Sequence, residues 1–258
     1  MKRELHAEWT KLRTMSGSGR LPLAAVLTVV LTVALSAAAS AAVTCPAIGC
    51  DQDPVRLSLT GVHLGQAAVA MLAVLAIGGE YGTGMIRTTF TAMPRRAVAL
   101  SAKAAVLAGG TLAVGTVAVL GSVLAGRLIL PGGGFVPAHG FPPLSPADGP
   151  TLRAALGSVL YLVLVALLSL GVAAAVRDAA AAIGTVLGLL YVFPLVILMV
   201  SDPAWQLRLW QVSPLNAGLA IQSTTPLPLS PGAGLAVVAA WAAAALLTGG
   251  LLLRLRDA

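Results

Sequence analysis

The sequence predicts an all-α integral membrane protein: six transmembrane helices, an N-terminal interfacial amphipathic helix and a short cytoplasmic helix. Three observations carry this. Hydrophobic residues make up 58% of the 258 positions, charged residues only 10%, and mean hydropathy is +0.93. A soluble domain has about 25% charged residues and leaves much of its surface in water, so it could not hide this apolar area. Six apolar runs are each long enough to cross a bilayer core of about 30 Å at 1.5 Å per residue. The basic residues, finally, cluster in alternate gaps between those runs.

The first twenty residues come before any apolar run. Leu5, Trp9 and Leu12 recur at helical spacing among Lys2, Arg3, Lys11 and Arg13. This fits a helix lying flat at the interface with Trp9 at headgroup depth, or else a solvated tail. Ser16 to Gly19 form a joint. The first span covers about 21–43. Ala39, Ser40 and Ala41 resemble a signal cleavage site, but the run exceeds the 7–15 residues of a signal core and reads as an uncleaved span. The other spans cover about 62–79, 104–130, 152–176, 179–200 and 232–253, all in a single domain. Only Arg177-Asp178 separates the fourth from the fifth, which implies a tight hairpin. The Pro- and Gly-rich gaps at 131–151 and 201–231 read as loops with short irregular helices.

The positive-inside rule orients the chain. With the N-terminus inside, Lys2, Arg3, Lys11, Arg13, Arg20, Arg87, Arg95, Arg96, Lys103, Arg177, Arg254 and Arg256 are cytoplasmic. Arg56, Arg127, Arg153 and Arg208 are outside. Both termini are then cytoplasmic in an inner membrane, and the net charge of +7 is topological rather than a nucleic-acid signal. Cys45 and Cys50 share the first external gap, where they form either a disulfide or two free thiols. Thr28, Thr32, Ser36 and Ser40 repeat every four residues along the first span. They make either a pathway-facing stripe or a helix-packing face. Gly184/Gly188 and Ser122/Gly126 are small-xxx-small pairs suited to packing.

The catalytic inventory is thin. The residues after Lys2, Lys11 and Lys103 are Arg3, Leu12 and Ala104, so no phosphate-cradling Gly-Lys-Ser/Thr loop is present. His6, His63 and His139 lack zinc-hydrolase spacing. The centres of the six spans carry no acid or base of the kind that ion-coupled transporters place there. Work must then enter from a separate cytoplasmic protein. The segment 80–103 is the natural contact. Thr83 caps and Pro94 limits a short helix on which Met85, Ile86, Thr89, Phe90 and Met93 share an apolar face. Such a face on the wet side wants a partner, or else rests on lipid.

Glu80-Tyr81-Gly82-Thr83-Gly84-Met85-Ile86-Arg87, then Pro94-Arg95-Arg96 and Lys103, resembles the cytoplasmic loop of ABC-2-type permeases of the actinobacterial kind. Glu8 to Arg13, the Arg177-Asp178 hairpin and Ser213-Pro214-Leu215-Asn216 are similar to that family as well. The resemblance implies a six-helix permease subunit that dimerises with a second copy or a paralogue. It would dock a separate cytoplasmic ATPase, which binds ATP and Mg, while this chain binds no cofactor itself. Gly84, Met85, Ile86, Arg87, Phe90, Met93, Arg95 and Arg96 would form the docking, or coupling, helix. The family also places short re-entrant or external helices before the last span, here around Trp205, Leu209, Trp210 and Leu219. The external loops are too short for a large external domain. Two rival classes are a lipid-modifying membrane enzyme, which would need clustered interfacial acids or histidines, and a non-transporting immunity or sensor partner.

Overall fold

A computed structural model describes residues 20–45, 50–82, 96–145 and 147–255. The described residues contain helices and turns and no strand. Six helical segments are long and apolar enough to cross a membrane. They are Arg20–Ala42, Val62–Gly82, Arg96–Ile129, Gly149–Val176, a composite beginning at Ala179 and ending at Leu198, and Pro231–Leu255. An even number of crossings returns the chain to the end of the bundle where it began. The opposite end, which carries Cys45 and Cys50, is called the disulfide end below.

The fourth span is the axis of the bundle. It packs against the sixth, third, second and fifth, while the first span packs mainly on the third and second. The large exposed apolar side chains, such as Leu27 and Val30 on the first span or Leu120 and Leu124 on the third, point outward. The first span turns its polar stripe inward instead. Thr28, Thr32, Ser36 and Ser40 are all buried. The backbone N–H of Gly61 donates to Ser36 Oγ at 3.0 Å, and Gly65 faces Thr32. Thr32 Oγ1 itself donates to Thr28 O at 2.7 Å. The stripe is engaged in close packing against the start of the second span, where glycines let the backbones approach.

Of the two small-residue pairs, only one packs inside the chain. Gly126 lies against Ser58, and Ser122 is fully buried. Among the described residues, nothing lies within 4 Å of where a Cβ on Gly184 or Gly188 would stand, so no other described element covers that face.

Two boundaries differ from the sequence reading. The third span starts at Arg96, not near 104, and its 34 residues extend about 51 Å. Lys103 therefore belongs to a helix rather than to a cytoplasmic loop. It is buried, and its Nζ donates to Ala76 O at 3.2 Å. Its aliphatic stem lies along apolar neighbours while the ammonium meets a carbonyl. The second span runs on to Gly82, so the segment between these helices is 83–95 rather than 80–103.

The fifth span, expected as one helix over 179–200, is broken into three. An α-helix over Ala179–Leu187 passes into a π-helical turn at Gly188–Val192 and resumes as α over Phe193–Leu198. Pro194 explains the change. It has no N–H to donate and its ring crowds the carbonyl four residues back, and a wider turn before it relieves both problems.

The hairpin between the fourth and fifth spans is as tight as expected. Arg177 adopts φ 64°, the one left-handed non-glycine among the described residues. Asp178 caps the fifth span by accepting from Ala181 N at 2.7 Å. Arg177 Nη2 also donates to Leu252 O at 3.3 Å, tying the hairpin to the sixth span.

At the disulfide end, Cys45 and Cys50 are joined, with Cα atoms 6.0 Å apart. Cys45 N donates to Gly133 O at 2.6 Å, which fastens the segment after the first span to the loop after the third. Gly134, with φ 92°, lets that loop pass against the Cys45 carbonyl. Short 3-10 turns at Leu130–Gly133 and Pro137–His139, and an edge-on contact of Phe135 with Phe141 at 5.1 Å, complete this cap.

Candidate functional site

Between the fifth and sixth spans the chain does not simply cross over the end of the bundle. The helix Pro203–Val212 stays at the surface, with Trp205 exposed and Arg208 over its ring at 5.3 Å. The next segment turns inward. Helix Pro214–Leu219 and the 3-10 turn Ala220–Gln222 are buried almost throughout, packed against the fourth and sixth spans. Of the four residues expected to form outer or re-entrant helices, Trp205, Leu209 and Trp210 belong to the surface helix. Leu219 belongs to the buried one.

Two glycines permit the entry. A Cβ on Gly157 would collide with Ile221, and one on Gly218 would collide with the Tyr161 ring. Both positions are places where the re-entrant segment touches the fourth span with no room for a side chain.

A seam of neutral polar side chains surrounds the inserted segment. Gln66 on the second span is fully buried, and its Oε1 accepts from Tyr161 OH of the fourth. One helical turn before Gln66, the His63 carbonyl accepts from Tyr191 OH, which the π-helical turn supplies. One turn before Tyr161, Ser158 Oγ accepts from Gln222 Nε2 at 3.0 Å. The hydrogen bonds thus link fifth span, second span, fourth span and inserted segment. Gln66 Nε2 and Gln222 Oε1 are buried and find no partner among the described residues.

The outer rim of the seam is tied at two further points. Arg153 Nη2 donates to Ser223 O at 2.9 Å. Asp53 caps the short helix Pro54–Ser58 through Oδ1, and its Oδ2 accepts from Thr224 N at 2.5 Å.

Chemically, the seam offers amides and hydroxyls but no carboxylate or ammonium. Among the described residues no three His, Cys, Asp or Glu side chains converge. An arrangement of this kind suits a joint between moving helices. Its bonds are neutral and exchangeable, and in lipid a helix that leaves one polar partner is driven to find another. A π-helical turn beside the joint gives the fifth span a place to change register.

Sequence reasoning missed these residues. A single Gln or Tyr in an apolar run creates no periodicity. The usable signal was chemical: a lone amide in a span must meet a donor or acceptor on another, which pairs Gln66 with the few hydroxyls available.

The proposed docking residues Gly84, Met85, Ile86, Arg87, Phe90, Met93 and Arg95 lie outside the described residues, as does the interfacial segment 1–19. Arg96 opens the third span. No family model matches the chain, and no curated protein matches it significantly.

Proposed function

We propose that this chain is the membrane-spanning permease subunit of an ATP-binding-cassette exporter, working with a separate cytoplasmic ATPase and a second permease copy or paralogue. The observation that carries the reading is a pairing. The six spans have no charged residue at their centres, so transport work has to be delivered from outside the chain. The only long polar connection on the basic side, 83–95 with its flanks, has the sequence resemblance already described. The six-helix apolar bundle supports the reading, and so does a neutral joint at which the fifth span and the inserted segment can move together.

In this reading the ATPase binds ATP and Mg. Its closure pushes on the helix around Gly84 to Met93, and the push reaches the seam through the second and third spans. Met85, Ile86, Phe90 and Met93 fill a groove on the ATPase. Arg87 meets its rim, and Arg95 and Arg96 hold the helix end near lipid phosphates.

Truncating a buried aromatic anchor at an interface costs about 2 kcal/mol, which is about thirtyfold in affinity. Phe90→Ala should therefore lose the ATPase on co-purification and lower ATP-driven export from proteoliposomes. Membrane insertion should be unaffected, and Arg208→Gln on the other face should change nothing. An ATPase that stays bound to both Phe90→Ala and Met85→Ala would refute this docking site. Purified complex that hydrolyses ATP but exports nothing would favour the non-transporting partner.

In this reading both termini are cytoplasmic, which the twelve-to-four basic bias supports. Single cysteines at Ser16 and Asp257 should resist an impermeant maleimide in intact cells and react after lysis. Labelling of either from outside would reverse the topology.

A further inference from the structure

We infer that the pocket beside Arg153 holds the phosphodiester headgroup of an anionic membrane phospholipid, with an acyl chain lying along Leu156 and Leu160. The pocket lies at the disulfide end, between the start of the fourth span and the loop leading into the sixth. Its volume is about 250 Å³, and its wall includes Arg153, Ser223, Thr225, Leu227, Leu229 and Ser230. At about 30 Å³ per water this is room for about eight waters, more than a bare anion fills and enough for a phosphate with its glycerol.

Arg153 is the one charged residue among the described residues of the pocket's wall. Arg153 makes one hydrogen bond, to Ser223 O, and has no carboxylate partner among the described residues. Its remaining N–H groups are the fork that binds phosphate oxygens best. Asp53, which reaches the same loop, is turned away from this role. Its Oδ1 accepts from Val55 N and Arg56 N, and its Oδ2 accepts from Thr224 N. The positive end of the 25-residue sixth helix, at Pro231, contributes to the same wall. Pro226, Pro228 and Pro231 restrict the backbone of the loop that forms one wall.

The second half of the argument comes from the fourth span. It is the most buried helix of the bundle, yet from Thr151 to Ala175 four residues are exposed: Leu152, Arg153, Leu156 and Leu160. Arg153, Leu156 and Leu160 fall at i, i+3 and i+7, one face of the helix. Leu156 is 62% and Leu160 47% exposed. A cation near the end of the bundle with exposed leucines below it on the same helix face matches a lipid lying headgroup first. A free phosphate would use the cation and leave those leucines uncovered.

The test is native mass spectrometry of the purified full chain in detergent, titrated with palmitoyl-oleoyl phosphatidylglycerol. One saturable adduct is expected. Arg153→Gln should weaken it at least about tenfold, since hydrogen bonds to a charged group are lost. Leu229→Trp, which fills the pocket and leaves Arg153 in place, should weaken it as well, and Arg208→Gln should not. The thermal midpoint without lipid shows whether Arg153→Gln remains folded; if it does not, Leu229→Trp decides. Parental affinity in both pocket variants overturns the site. Displacement of the lipid by millimolar inorganic phosphate overturns the lipid in favour of a free anion. Equal binding of phosphatidylcholine overturns the requirement for an anionic headgroup.

Discussion

Gly171→Leu should lower the thermal midpoint of the detergent-purified protein by about 6–12 °C. The fourth and sixth spans make their closest approach at this residue. A Cβ on Gly171 would stand 2.5 Å from Leu246 N and 2.8 Å from Ala245 Cβ. From the other side, a Cβ on Gly249 would stand 2.6 Å from Gly171 O. The obstacles are mostly backbone, which cannot swing aside as a rotamer would. Overpacking costs about 1–3 kcal/mol where neighbours can adjust, and here the upper end applies. In a chain of this size about 3 kcal/mol corresponds to the stated shift. The sixth span would have to move away from the axis of the bundle, and Arg177 would lose its bond to Leu252 O. Gly109→Leu is the control, because no described residue lies within 4 Å of a Cβ at that position, and its midpoint should match the parent. Equal melting of the two variants would mean that the Gly171–Gly249 crossing is not a tight contact.

The contrast between these two glycines shows what the sequence carries and what it does not. Span number, the tight hairpin and the inward polar face of the first span were legible, because each rests on a local rule. Apolar length against bilayer thickness finds the spans. Arg177 and Asp178 between two apolar runs leave room for nothing but a turn. A repeat of four places Thr28, Thr32, Ser36 and Ser40 on one face, though not which element that face meets.

Features set by distant partners were hidden. Gly109 and Gly171 look alike in sequence, and only the position of the sixth span separates them. Lys103 and Arg96 read as loop charges because a basic residue normally ends an apolar run. The third helix instead extends past the bilayer thickness and buries the Lys103 stem against the second span. The fifth span reads as one helix over 179–200, with neither the effect of Pro194 nor the π-helical turn that aims Tyr191 at His63 O legible in it. The inserted segment 214–222 lies in a Pro- and Gly-rich gap and was legible as short helices. Its depth depends on Gly157 and Gly218 being small where it meets the fourth span.

Gly218→Leu should unseat the inserted segment while leaving the six spans inserted, and removing the opposing ring should let the segment pack again. A side chain at 218 runs into the Tyr161 ring and comes within 2.9 Å of Val238 Cγ2. The inserted segment is held between the fourth and sixth spans, so it can only withdraw toward the disulfide end. Withdrawal pulls Gln222 from Ser158 and tilts Tyr161 away from Gln66, leaving buried amides without partners. The expected loss is about 2–3 kcal/mol of stability. Tyr161→Ala alone opens a cavity and orphans Gln66 Oε1, and it should cost about 3–5 kcal/mol. The double variant places the leucine in the space the ring vacates. It should therefore be more stable than the sum of the single changes predicts, by about 1–3 kcal/mol of coupling. Thermal midpoints of the four proteins measure this cycle. Strict additivity would mean that Gly218 and Tyr161 do not meet, and the inserted segment would not be seated against the fourth span as described.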